Sequence, residues 1–192
     1  MSPLHVGRYP LSVGLQYYEC AVENVGGLSL DETIISEVMK SGGYSTYMFG
    51  KWNLGNSSPR YLPTARGFDY YLGFLDGFSN YWSKLIPDMT QYKDFLWSNL
   101  DCYYMYDSSD ESLYSTHLYE DKAVSAISNH DYSMPMFMYM AFQAVHDPFS
   151  GEITAVRCQC HRQCHCHHHC HRHCHCYLYF LTVIINVIAI LL

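Results

Sequence analysis

"SLDETIISEVMKSGGYSTYMFGKWNLG", Ser29 to Gly55, carries the reading of the fold. Ser29-Leu30-Asp31-Glu32 fits a capping box, with the serine hydroxyl serving a free backbone donor three residues on and the glutamate reaching back. Ile34, Ile35, Val38 and Met39 then recur at helical spacing, and Gly42-Gly43 supplies a left-handed stop, which predicts a helix over Asp31 to Ser41. Tyr44 to Phe49 follows at once, short and rich in aromatic and apolar residues, the profile of a buried strand. Directly after it the chain sets Lys51 and Asn53 between two glycines, where packing alone asks for neither.

The pattern returns later. Ser115 to Asn129 places Leu118, Tyr119, Ala123, Ala126 and Ile127 on one side of a helix and Glu120, Asp121 and Lys122 opposite. Pro135 then opens "MFMYMAF", Met136 to Phe142, a second short apolar run. Helix then buried strand, twice, predicts an α/β fold with a mostly parallel sheet. In open sheets of this kind ligands bind beyond the carboxyl ends of the strands, where the loops converge. Lys51 stands two residues after the first strand, and His146, in "QAVHDP", four after the second. Taken singly, such a lysine is ordinarily a solvated loop charge and such a histidine a turn residue. Together they point to a site for an anionic substrate, with the ammonium pairing an oxyanion and the imidazole donating a hydrogen bond or a proton. Trp52 reads as core or loop anchor. Pro59 to Tyr114 reads as long irregular connections with short helices around Tyr92 to Trp97, and the charge run Asp107 to Glu111 as a solvated loop.

The chain divides by composition into a body over 1–150, a low-complexity tract over 151–176 and an apolar segment over 177–192. The body carries 8 Lys/Arg against 17 Asp/Glu, a balance of −9 that argues against nucleic acid as a partner. Its cysteines, Cys20 and Cys102, are open to either reading, one disulfide or two thiols. Asn56-Ser57-Ser58 is an N-glycosylation acceptor, which leans towards the secretory route. Met1-Ser2-Pro3 is not followed by a basic and then apolar segment, so no signal peptide is visible and the start reads as internal to a longer protein.

Seven cysteines and eight histidines crowd between Arg157 and Cys176. Thiolate and imidazole suit zinc or copper, yet no Cys-x-x-Cys pair sets a tetrahedron, and translation of a simple DNA repeat gives the same composition. This tract is expected to be disordered. Tyr177 to Leu192 is uncharged and sixteen residues long, about 24 Å as a helix, short of a bilayer core, so it spans a membrane only with help; its Ile/Val content equally suits a β segment.

"GRYPLSVGLQ", the Ser29–Gly55 stretch, "LPTARGFDYYLGFLDG", "YSTHLYEDKAVSAI" and "MFMYMAFQAVHDP" together resemble the sulfatase family, and within it animal arylsulfatase B-like enzymes, over about Gly7 to Phe149. The resemblance implies an alkaline-phosphatase-like sandwich that hydrolyses sulfate esters using one calcium and a formylglycine made from a cysteine. It implies that Lys51, in "GKW-x-LG", and His146, in "VH-x-P", contact the substrate sulfate. Arg8, in "GRYP", matches a structural arginine. Asn53 stands where the family has histidine; it donates a hydrogen bond but shuttles no proton near neutral pH.

"MSPLHVGRYP" carries no cysteine at the family's nucleophile position, and the resemblance places the calcium ligands outside this chain. A piece of a sulfuric ester hydrolase that grips sulfate and is inert alone is therefore expected, acting on a sulfate-ester small molecule or a sulfated glycan in the lysosome or secretory route. The rival from another class is a metal-binding or membrane-tethered protein acting through its Cys/His tail. A phosphate ester as substrate is the third reading.

Overall fold

Met136–Ala141 (β5) is buried at all six positions, which in an α/β protein requires a covering layer on both faces of the sheet. The computed structural model describes residues 2–15, 27–84, 95–99, 102–105, 113–144, 146 and 187–191. In it Ser45–Gly50 (β1) pairs in parallel with β5, in register from Ser45 opposite Met136 to Gly50 opposite Ala141. Tyr70–Phe74 (β2) flanks β1 on its other side, also parallel. Phe95–Asn99 (β3) and Cys102–Met105 (β4) extend the sheet antiparallel beyond β2, and Val187–Leu191 (β6) runs antiparallel along β5. The order is β4-β3-β2-β1-β5-β6, a mixed sheet with a parallel centre.

Alternation sorts the two faces. Met48, Tyr71, Phe137 and Tyr139 share one apolar cluster with Leu28, Ile34, Trp52 and Phe68, against which Val6 of Ser2–Val6 (α1) and Met39 of Ile35–Ser41 (α2) pack. Phe49, Leu72, Phe74, Met136, Met138 and Met140 face the other way, onto Leu118, Tyr119 and Ala123 of Ser115–Ser128 (α3). The expected α/β sandwich is thus present.

Several expectations need correction. The helix before β1 begins at Ile35 rather than Asp31. Glu37, not Glu32, closes its first turn, its carboxylate accepting from Ile34 N–H at 2.9 Å. Glu32 is drawn away by Arg8, 2.6 Å distant, while the Ser29 hydroxyl accepts only from Asp31 N–H. As a result Ile34 is buried whereas Ile35 and Val38 face outward. Around Tyr92 to Trp97, where short helices were expected, Phe95–Asn99 is a strand whose backbone completes an antiparallel ladder with β2. Val187–Leu191 likewise forms an edge strand, and no helix among the described residues is long and apolar enough to cross a membrane. Cys20, Asp107 to Glu111 and the Cys/His tract lie outside the described residues.

The "PT-x-RGFD" motif is architecture. Arg66, buried, donates to Glu37 (2.8 Å) and to the Glu32 carbonyl (2.6 Å), while its own carbonyl accepts from the Ser36 hydroxyl (2.6 Å). Asp69 accepts from Thr46 N–H (2.9 Å) and pairs Lys40 (2.7 Å), so helix, strand and motif close one ring of charge-assisted bonds. Gly67, at φ 90°, lies where a Cβ would strike the Ser36–Glu37 backbone.

His5 is the odd residue of this core. It is buried against Trp52, Phe68 and Tyr139, with ring centroids 5.5, 6.5 and 4.6 Å away, and neither ring nitrogen has a hydrogen-bond partner among the described residues. Burial, reinforced by the nearby positive charge of Arg66, lowers its pKa from 6.5 to about 3. The unfolded chain therefore binds a proton that the fold refuses, and acid favours unfolding throughout that interval. Between pH 7 and pH 5 His5 should remove about 2 kcal/mol of stability. Urea melts should show His5→Leu losing less stability over this range by that amount; parallel losses in the two proteins would mean that the imidazole is solvated.

At Gly50 the backbone has φ 101°, and an added Cβ would overlap the Ala141 carbonyl; at Gly73 one would overlap the carbonyl of Gly50. Gly50→Ala should cost about 3 kcal/mol through strain and overpacking, whereas Gly43→Ala, with open space around its Cβ, should cost less. Denaturant midpoints compare the two, and equal losses would show that strand spacing relaxes freely.

Candidate functional site

The loop leaving β1 is held by its neighbours on both sides. Lys51 N–H donates to the Ala141 carbonyl at the end of β5 (2.9 Å). Trp52 and Asn53 N–H donate to Phe74 and Leu75 at the end of β2 (3.0 and 2.9 Å). Trp52 is fully buried, and its indole N–H lies 3.0 Å from the carbonyls of both Gly55 and Tyr61, folding the loop onto the core. Lys51 and Asn53 are thereby fixed at the carboxyl edge of the parallel strands, on either side of an anchor.

Asn53 adopts φ 49°, a conformation that asparagine tolerates better than most residues. Its Oδ1 is buried and has no hydrogen-bond partner among the described residues. Asn56, half-buried, donates from Nδ2 to the buried Asp76 carboxylate at 3.1 Å. A glycan on this amide takes one of its two hydrogens and leaves the other for that bond.

His146 is exposed, five residues past Ala141. Because Gly50 and Ala141 are register partners, the chains carrying Lys51 and His146 leave adjacent strands at the same edge. The turn bearing His146 closes on its N–H donating to the Gln143 carbonyl (2.8 Å). Beneath it lie residues that the sequence does not single out. Tyr81, at 1% exposure, directs its hydroxyl to the carbonyls of Gln143 (3.0 Å) and His146 (2.8 Å). Gln143 accepts from the Ser115 hydroxyl (3.0 Å) and donates to the Ser79 carbonyl. Lys84, fully buried at φ 55°, donates from Nζ to the Leu113 carbonyl. The edge is thus a polar floor of paired groups with Lys51, Asn53 and His146 in the loops above it. Arg8 stands apart, tied to Glu32 and to the Ser12 carbonyl (3.3 Å). No three His, Cys, Asp or Glu among the described residues come together to hold a metal.

A protein-family model described as Sulfatase matches residues 4–182, running past Phe149 where the recognisable motifs end. Arylsulfatase J of Mus musculus is 34% identical over 145 residues, 74% of this chain and 23% of that protein. N-acetylgalactosamine-6-sulfatase of Homo sapiens is 29% identical over 152 residues, 76% of this chain and 28% of that protein. Among solved structures, that of Ps i-CgsB in complex with k-i-k-neocarrahexaose superposes with a TM-score of 0.66 at 25% identity, covering 82% of this chain and 36% of that one. The chain spans about a quarter of the length of these curated relatives.

Proposed function

The chain belongs to the sulfatase family, and from that premise we propose that it grips the sulfate group of an ester between Lys51 and His146, with Asn53 alongside. The observation that carries this reading is the register of Gly50 against Ala141, which starts both loops from neighbouring points of one sheet edge. An ammonium supplies a compact charge for tetrahedral oxyanions, and an exposed imidazole supplies a directed donor. The buried Asn53 Oδ1 cannot serve sulfate oxygens, which only accept; it suits a hydroxyl or N–H on the organic side of the ester.

A sulfated glycan presents such donors next to its sulfate. One relative is named for a sulfated sugar derivative, and one similar structure holds a neocarrahexaose. Lysosomal or secretory residence, where the Asn56 sequon meets the glycosylation machinery, belongs to the same reading.

Gripping is not cleaving. Attack at sulfur requires a nucleophile, and none of Lys51, Asn53 and His146 is the cysteine from which the family's aldehyde is made. The role proposed for Lys51, Asn53 and His146 is therefore to hold the ester, not to attack it. Calorimetric titration of the full chain with inorganic sulfate tests the reading. Lys51→Ala and His146→Ala should each weaken binding by about tenfold or more. Unchanged affinity in both variants would refute it, and tighter binding of phosphate than of sulfate would favour a phosphate ester as the substrate.

A further inference from the structure

We propose that Tyr81 is a positioning residue for His146, its buried hydroxyl setting where the imidazole stands over the sheet edge and so how well sulfate is held. The inference rests on the reading of Lys51 and His146 as sulfate contacts. His146 needs such support because it is exposed on a turn, whereas Lys51 N–H is pinned directly to β5.

Tyr81 is itself immobilised from three directions. Its ring stacks on Tyr114 with centroids 5.4 Å apart and planes 19° from parallel. Its carbonyl accepts from Ser115 N–H at the start of α3 (3.0 Å), and the residue is 1% exposed. From this fixed base the hydroxyl reaches two carbonyls of one turn, those of Gln143 and His146, at 3.0 and 2.8 Å. With a single proton to give, it shares it between them, which fixes both ends of the turn at once. A phenylalanine would keep the stack and lose this hold.

Gln143 supplies a second grip on the same turn through the Ser115 hydroxyl and the Ser79 carbonyl, and it too is buried. The loop after β2 and the start of α3 thus fix the backbone from which His146 projects. An anion contact is sensitive to displacements of about an ångström, so loosening the turn should weaken sulfate binding through His146 alone.

Two-dimensional NMR of the full chain titrated with inorganic sulfate tests this, following the Lys51 amide and the His146 ring protons. In Tyr81→Phe the Lys51 amide should still respond, while the His146 response collapses and overall affinity falls roughly three- to tenfold. Ser115→Ala, which leaves Tyr81 intact and removes a donor to Gln143, should weaken the His146 response in the same selective way. Wild-type responses at His146 in both variants would overturn the inference, and so would equal loss at both probes, the mark of general loosening. An unsubstituted chain silent at both probes would sink the sulfate site itself and the inference with it, a failure visible before any substitution is made.

Discussion

Three backbones meet at one point, and the rest of the structure depends on how closely they approach. Gly73 of β2 faces the carbonyl of Gly50, and Gly50 faces the carbonyl of Ala141, with no room for a Cβ at either glycine. Parallel strands ordinarily accept side chains on both faces, so glycine here trades packing for proximity. The gain lies one residue further on. Because β1 ends hard against β5 and β2, the N–H groups of Lys51, Trp52 and Asn53 find acceptors on both neighbours instead of facing solvent. A loop that would otherwise sample many conformations is fixed in one, which would lower the ordering entropy lost on binding the proposed anion.

The remaining motifs divide between this edge and the opposite one. Arg66, Gly67 and Asp69 act at the amino-terminal end of β1, where they bind the start of α2 and the Thr46 amide. The charges at that end pair with one another, Arg66 with Glu37 and Asp69 with Lys40. At the carboxyl end, Lys51 and His146 stand above a floor whose own polar groups are largely paired. Charge that neutralises itself builds the fold at one edge, and the proposed sulfate contacts stand in the loops at the other.

Local pattern made much of this legible. The strand Ser45–Gly50 and the helix Ser115–Ser128 fall within about a residue of the ranges expected from periodicity, because their apolar residues are consecutive or repeat at 3.6. The start of α2 was misread for a physical reason. Both Glu32 and Glu37 can reach back to a backbone N–H, and the choice is made by Arg8 and Arg66, which arrive from elsewhere in the chain. The support beneath His146 was invisible for a similar reason. Tyr81 bonds to residues 62 and 65 positions away, and Ser115 to one 28 away, so no short window contains both partners. Lys51 and His146 are legible as strand-end residues because strand ends are local features; the residues that hold them in place are defined only by the folded sheet.

Asn53 stands where the resemblance to the family places a histidine. Histidine at this position would bring a proton that moves near neutral pH; asparagine brings a fixed acceptor and a fixed donor. Binding discriminates through groups that stay in place, whereas hydrolysis needs groups whose charge or bonding changes in the transition state. An amide held at φ 49° with a buried, unpartnered oxygen belongs to the first kind. Its role in the proposed site is therefore one of recognition, whichever groups carry out the chemistry. The lysine and histidine proposed to hold the anion would do so equally well in either role, so they alone do not tell the two apart.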